Sequence, residues 1–143
     1  MITISLCMIV KNEEDVLARC LDSLRGLMDE IIIVDTGSTD NTKEVALKYT
    51  DKVYDFSWCD DFAAARNFSF SKATKEYIYA PDADEVLDET NRRRFAMLKA
   101  ALLEEIEIVT MKYITPDEFN TVQNANCDIR PKLYKRLRTF TWI

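Results

Sequence analysis

Three carboxylates in four positions, Asp82, Asp84 and Glu85, follow the apolar run Tyr77-Ile78-Tyr79-Ala80 across Pro81. Crowded carboxylates are costly unless a metal, a basic partner or open water answers their charge. Oxygen donors set this close suit a hard divalent cation. Proline has no N–H to give a ladder, so it ends the run and lets the loop turn both aspartates toward one point. A plainer reading of the same residues is a set of solvated acids ahead of a helix beginning near Asp88, where they favour the positive end of its dipole. A second acid, Asp35, closes the apolar run Glu30-Ile31-Ile32-Ile33-Val34 and leads into Thr36-Gly37-Ser38-Thr39-Asp40-Asn41-Thr42. Small hydrogen-bonding residues of this kind make a turn, in which Asp35 opens an Asx turn, Gly37 supplies a positive φ, and Ser38, Thr39 or Asp40 caps the next helix. Arg66, in Ala65-Arg66-Asn67, is a cation available either to a phosphate or to a surface acid.

The elements that must position these residues alternate between strand and helix. Residues 2–10 are dense in branched apolar side chains and predict a strand covered on both faces. Lys11-Asn12-Glu13-Glu14 breaks it, with Asn12 as N-cap of a helix carried by Val16, Leu17, Cys20, Leu21 and Leu24 and stopped at Gly26. The unit repeats: a strand over residues 30–35, a helix around Val45, Ala46 and Tyr49, a shorter strand over 52–56, a helix over 61–68, then the strand that feeds the acidic loop. Such alternation implies right-handed crossovers and a parallel sheet, whose ligands bind beyond the strand carboxyl ends where the winding order reverses. The polar clusters at 11–14, 35–40 and 82–85 all fall at predicted strand ends, so one sheet edge collects the chemistry. Further on, Phe95, Ala96, Leu98, Leu102 and Leu103 support a helix with Arg92-Arg93-Arg94 on a solvated face, and residues 107–114 form another strand. Ile129, Leu133 and Leu137 then face one way and Arg130, Lys132, Arg136 and Arg138 the other, as in a half-exposed strand with an ordinary solvent face.

Composition narrows the function classes. The chain has 143 residues, 48% hydrophobic and 31% charged, which fits one soluble domain with a substantial core. A net charge of -6 argues against a bare phosphate-backbone binder, so no nucleic-acid partner is expected. An acidic site that binds an anionic ligand requires a cation between the two. The absence of histidine removes Ser-His-Asp and Cys-His arrangements and histidine zinc sites, leaving a carboxylate or another unusual group as general base. Cys7, Cys20, Cys59 and Cys127 show no C-x-x-C spacing and read as reduced core thiols of a cytosolic protein. The first apolar run is shorter than the roughly 18 residues of a membrane span, so no transmembrane segment is expected.

Taken together, residues 4–14, Ile32-Ile33-Val34-Asp35-Thr36-Gly37-Ser38-Thr39-Asp40, Ala65-Arg66-Asn67 and Asp82-Ala83-Asp84 resemble, in content and order, the family 2 glycosyltransferases of the GT-A fold. Residues 130–136 are similar to a later family strand. The resemblance implies an α/β fold: a Rossmann-like, mostly parallel sheet flanked by helices, with a mixed strand region toward the C-terminus, in a single domain over 1–143 that stops short of its acceptor side. It implies transfer of a hexosyl-type sugar, with inversion, from a nucleotide-diphosphate sugar such as a UDP-sugar to a glycan, lipid or protein acceptor. Under it Asp35 faces the nucleobase, the backbone at Val10 and Lys11 lines the same pocket with Glu13 and Gly37, and Arg66 lies near the base or phosphates. Asp82 sits against the ribose or the metal shell, and Asp84 is the direct ligand of Mn²⁺ or Mg²⁺. The family often carries a second acid where Thr36 stands and an aromatic residue where Lys11 stands. The catalytic base is expected beyond Ile143, with Asp117 and Glu118 as weak candidates within the chain. The implied setting is cytoplasmic, with a peripheral position at the inner face of a membrane as a variant.

Rival readings share the sheet. A catalytically inactive nucleotide-sugar-binding or protein-interaction module would keep the scaffold without the reaction, because fold alone does not certify chemistry. A nucleotidyltransferase needs a glycine-rich phosphate loop after the first strand, and Val10-Lys11-Asn12-Glu13 contains no glycine. A receiver domain would use an acidic pair such as Glu13-Glu14, but has no place for Asp82-Ala83-Asp84.

Overall fold

The computed structural model describes residues 1–115, 126–136 and 141–143. In chain order the elements are β1 (Ile4–Val10), α1 (Leu17–Ser23), β2 (Glu30–Asp35), α2 (Thr42–Leu47), β3 (Val53–Asp55), α3 (Phe62–Ser71), β4 (Tyr77–Tyr79), α4 (Glu89–Ala101), β5 (Ile108–Thr115) and β6 (Asn126–Lys135). They build one six-stranded sheet in the order β3-β2-β1-β4-β6-β5. The first four strands run parallel, and β6 runs antiparallel to both β4 and β5. The fold is therefore α/β with a mixed C-terminal edge, as expected from the sequence.

β1 is central because its side chains are apolar on both parities. Ile4, Leu6, Met8 and Val10 pack with Leu17, Cys20, Leu21 and Leu24 of the α1 region, with Phe95 of α4 and with Leu133 of β6. Cys7 faces the other way, into a second cluster with Ile32, Val34, Ala73 and Ile78 that Phe68 and Phe70 help to cover. Helices thus close both faces, and two-sided burial is what parallel strands require. The chain leaves β1 toward β2 and β3 on one side and returns to β4 on the other, so the winding order reverses between β1 and β4. Ligand crevices form at such a point, beyond the strand carboxyl ends.

Glu30 pins the opposite end of the sheet. Its side chain, 2% exposed, accepts from Lys52 Nζ at 2.7 Å, from Thr74 N at 3.0 Å and Oγ1 at 3.1 Å, and from Ser5 Oγ. Burial alone would raise this carboxyl, but the hydrogen bonds from Lys52, Ser5 and Thr74 outweigh it and hold it down at about 2.

The structure corrects four expectations. Asn12 is not the cap of α1: its φ is 51°, and the cap position is Val16, with no side-chain cap bond. Asn tolerates the left-handed region, and here its side chain serves another loop. Gly26, at φ 81°, does end the α1 region as anticipated. β6 does not alternate as predicted, since Ile129 is 62% exposed while Lys132, Leu133 and Tyr134 are all buried. The register shifts where Val109 pairs with Leu133 and Thr110 with Pro131, which leaves Lys132 as an extra residue of β6 and resets the faces, and β4 and β5 flank the strand on its two edges. Leu137 and Arg138 lie outside the described residues. Arg92 is not merely solvated, because its guanidinium donates to the Ser23 and Arg25 carbonyls and ties α4 to the end of α1. Cys7 and Cys20 are buried free thiols, but Cys59 is exposed.

Candidate active site

Two loops at the carboxyl end of the sheet are laced into one unit. After β1, Asn12 N donates to Ser38 Oγ at 2.9 Å, and Asn12 Oδ1 accepts from Thr39 N at 2.8 Å. Glu13 N donates to Thr42 Oγ1 at 2.8 Å, and Asn41 N donates to Glu14 Oε2 at 3.0 Å. Thr36 N and Oγ1 both donate to the Val10 carbonyl, at 3.0 and 3.3 Å. Within this lattice Asp35 is 2% exposed. Its Oδ1 accepts from Gly37 N at 2.9 Å and Ser38 N at 2.8 Å, the Asx turn anticipated from sequence, with Gly37 at φ +107°. Its Oδ2 is buried with no hydrogen-bond partner among the described residues. A buried anionic oxygen without a donor is expensive, and a ligand N–H would relieve it.

The third loop follows β4 across Pro81. It turns tightly, with Glu85 N donating to the Asp82 carbonyl at 3.1 Å, and it leans on α1 through Cys20 Sγ to the Asp82 carbonyl at 3.6 Å and Arg19 to the Asp84 carbonyl at 3.5 Å. Asp82 stands between two cations. Its Oδ1 lies 3.8 Å from Arg66 of α3 and its Oδ2 3.4 Å from Lys132 of β6. Lys132 Nζ also reaches Glu85 Oε1 at 2.5 Å. The Asp84 side chain is exposed and makes no hydrogen bond or ion pair among the described residues. Glu13 carries a carboxyl raised above its usual range, first by burial and then by repulsion from Asp84, Asp40 and Asp82, which draws the β1 and β4 loops into one acidic neighbourhood. Glu85 is likewise raised, by burial above all, against the pull of Lys132.

Arg66 is held from its other side by an aromatic ring. Its guanidinium lies 5.1 Å from the Trp142 ring centre, and Trp142 is fixed by Asn67 Nδ2 donating to its carbonyl at 3.0 Å and its own N donating to Asn67 Oδ1 at 2.8 Å. Below the acidic loop a cleft of about 960 Å³ runs between α1, α4 and β5, with Asp84 and Glu85 at its border and Phe95 and Met111 among its apolar lining.

Among the described residues no group of three or more His, Cys, Asp or Glu side chains converges tightly enough to hold an ion alone. A hard cation that arrives with diphosphate oxygens and water needs only one or two carboxylates from the protein. Asp84, with Asp82 beside it, fits that donor set.

Of the residues singled out from sequence, Lys11, Glu13 and Gly37 lie on the two laced loops and Val10 and Asp35 at the strand ends that open them, with Arg66, Asp82 and Asp84 on or against the third. The Val10 carbonyl is already engaged by Thr36, and Lys11 is exposed. Asp117 and Glu118 lie outside the described residues. Lys132 and Trp142 also border this site, although neither stands out in the sequence as a site residue. Lys132 carried a faint signal, a cation one residue before the apolar Leu133-Tyr134 pair, but only the strand register turns it toward the acids.

The profile described as Glycosyl transferase family 2 matches residues 5–142. The chain is 35% identical over 122 residues to the SPbeta prophage-derived glycosyltransferase SunS of Bacillus subtilis, covering 78% of this chain and 27% of that protein. It is 32% identical over 102 residues to the lipopolysaccharide core biosynthesis glycosyltransferase LpsC of Rhizobium meliloti, covering 68% of this chain and 37% of the relative. Among solved structures it resembles glucosyl-3-phosphoglycerate synthase from Mycobacterium tuberculosis in complex with Mn²⁺ and UDP-glucose, with TM-score 0.52 and 25% identity over 59% of this chain and 34% of that one. The chain spans between 22% and 37% of the length of the curated relatives it matches.

Proposed function

The chain belongs to glycosyl transferase family 2, and from that premise we propose that it binds a nucleotide-diphosphate sugar, with uridine as the base, and passes the sugar to an acceptor with inversion in a metal-dependent reaction. One observation carries the donor reading: Asp35 Oδ2 is a buried anionic acceptor with no donor among the described residues, beside a loop lattice at the strand carboxyl ends. Uracil offers an N–H of the complementary kind. The Mycobacterium tuberculosis synthase, which binds UDP-glucose with Mn²⁺, supports the same ligand class.

The roles follow from charge. Asp35 accepts from the base, and the backbone at Val10, Lys11 and Gly37, with Glu13, frames that pocket. Arg66, steadied by Trp142 and Asp82, offers a guanidinium to the phosphates. Asp84 supplies an open carboxylate for Mn²⁺ or Mg²⁺, with Asp82 next to it on the ribose side. A divalent ion bound there supplies Lewis-acid stabilisation of the diphosphate as the bond to the sugar breaks. The acidic loop would otherwise repel the departing diphosphate, which gains a negative charge as the bond to the sugar breaks. The acceptor, whether glycan, lipid or protein, approaches the anomeric carbon in line from the face opposite the diphosphate. Its proton goes to a group that we place outside the described residues.

No helix among the described residues is long and apolar enough to cross a membrane. A reducing, cytoplasmic setting belongs to the same reading and is supported by the free thiols Cys7, Cys20 and Cys59.

Calorimetric titration of UDP tests this directly. Wild-type protein is expected to bind UDP with Mn²⁺ and at least tenfold more weakly with chelator, and Asp84→Ala is expected to lose the Mn²⁺-dependent part. Equal affinity in all three conditions sinks the metal role, and no UDP binding under any condition sinks the donor role.

A further inference from the structure

We propose that Lys132 determines which carboxylate of the acidic loop is open to the cation: it holds Asp82 and Glu85 as paired groups and leaves Asp84 as the free ligand. The inference rests on the reading of Asp84 as the cation ligand given above, and it makes Lys132 a positioning residue.

Lys132 is fixed from behind. Its carbonyl accepts from Ala80 N at 2.9 Å, one residue before Pro81, and its neighbour Leu133 pairs with Tyr79. The same strand pairing that ends β4 therefore sets the ammonium under the loop. The Lys132 side chain is 8% exposed, against 13% for Glu85 and 46% for Asp82. With Nζ 2.5 Å from Glu85 and 3.4 Å from Asp82, one buried cation serves two acids. Arg66 takes the other oxygen of Asp82 at 3.8 Å, so both oxygens of that carboxylate face positive charge. The Asp84 side chain, two residues on, is exposed and makes no ion pair among the described residues; Arg19 reaches only its main-chain carbonyl, at 3.5 Å.

This asymmetry has a consequence for the ion. To recruit Asp82 as well as Asp84, a divalent cation would have to displace an ammonium that is buried, tethered by its own strand and of like charge. Lys132 would keep Glu85, and Asp82 is half-exposed, so what opposes the ion at Asp82 is the like charge of Lys132 on one oxygen and Arg66 on the other. A site limited to one protein carboxylate holds a hard cation weakly until other oxygens complete its shell, since affinity rises with ligand charge and number. Lys132 thus makes cation binding wait for the diphosphate, a positive linkage that must act equally in both directions. Without the ammonium, Asp82 keeps Arg66 alone and Glu85 loses its cation, so the acidic loop beside Asp84 becomes more negative and draws free cation more strongly.

The test reads Mn²⁺ binding by electron paramagnetic resonance, with and without UDP, in wild type, Lys132→Met and Lys132→Arg, with thermal unfolding to verify the fold. Without UDP, Lys132→Met is expected to bind Mn²⁺ at least tenfold more tightly than wild type, and the gain in Mn²⁺ affinity conferred by UDP is expected to shrink by a similar factor. Lys132→Arg retains the charge and is expected to stay within threefold of wild type. Unchanged or weaker free-Mn²⁺ binding by Lys132→Met overturns the proposal. Should that variant fail to fold, Asp82→Asn decides: a change in Mn²⁺ affinity under twofold supports Asp82 as a non-ligand, and a loss equal to that of Asp84→Asn overturns it. Failure of the underlying reading looks different, because Asp84→Asn would then bind Mn²⁺ with UDP as wild type does.

Discussion

Replacing Asp35 by Asn separates the binding role of this side chain from its structural one. The change preserves shape and keeps an Oδ1 to accept from the Gly37 and Ser38 amides at 2.9 and 2.8 Å. What it alters is Oδ2, now an anionic acceptor buried without a partner and then a neutral N–H₂ donor. A hydrogen bond to a charged group contributes about 1.5–3 kcal/mol, so its loss should weaken UDP binding by roughly 10- to 150-fold. Two facing N–H groups push the value toward the upper end. Stability should move the other way or stay level, because a carboxylate oxygen buried without a donor opposes folding and a neutral amide opposes it less. Cytosine presents an acceptor at the ring position where uracil presents N–H, so the variant should lose far less affinity for CDP than for UDP. Isothermal titration with both nucleotides, beside urea unfolding, reads all three quantities. A natively folded Asp35→Asn variant that binds UDP within twofold of wild type would refute the assignment of Asp35 to the base.

Two further outcomes concern the frame around the site. Glu30 has a folded pKa of about 2 against about 4.3 for an unperturbed glutamate, so its pairing contributes on the order of 3 kcal/mol at neutral pH. The sign is that of a depressed carboxylate: the contribution is full above the unfolded value and is lost as pH falls from about 5 toward 2. Glu30→Gln should therefore be less stable than wild type in urea at pH 7, and the gap should close across that window; a gap unchanged at about pH 2.5 would contradict the pairing argument. Gly37→Ala places a Cβ in open space, since no atom lies within 4 Å, but at φ +107°. Its cost should be backbone strain alone, about 1–3 kcal/mol in urea unfolding, and an unchanged midpoint would show that the turn relaxes freely.

The acidic loop itself was legible because proline and apolar density mark a strand end without reference to any other part of the chain. The Asx turn at Asp35 and the positive φ at Gly37 were legible for the same reason, as both are decided within a few residues. The failures were of a different kind. Asn12 has the composition of a helix cap, yet Thr39, 27 residues away, claims its side chain. Alternation puts Ile129 and Lys132 on the wrong faces, because Lys132 is an extra residue in the β5–β6 register and β4 flanks only the later part of β6.

Local physics written into the chain therefore set where strands stop, which turns follow, and that three polar clusters would share one sheet edge. Only the folded sheet decided which cations answer which acids. Arg66, the loop carrying Asp82 and Glu85, and Lys132 lie far apart along the chain, and electrostatic pairing acts through space at distances of 2.5 to 3.8 Å. Strand order and register, which put β6 beside β4, bring those charges together, and no pattern along the sequence carries that information.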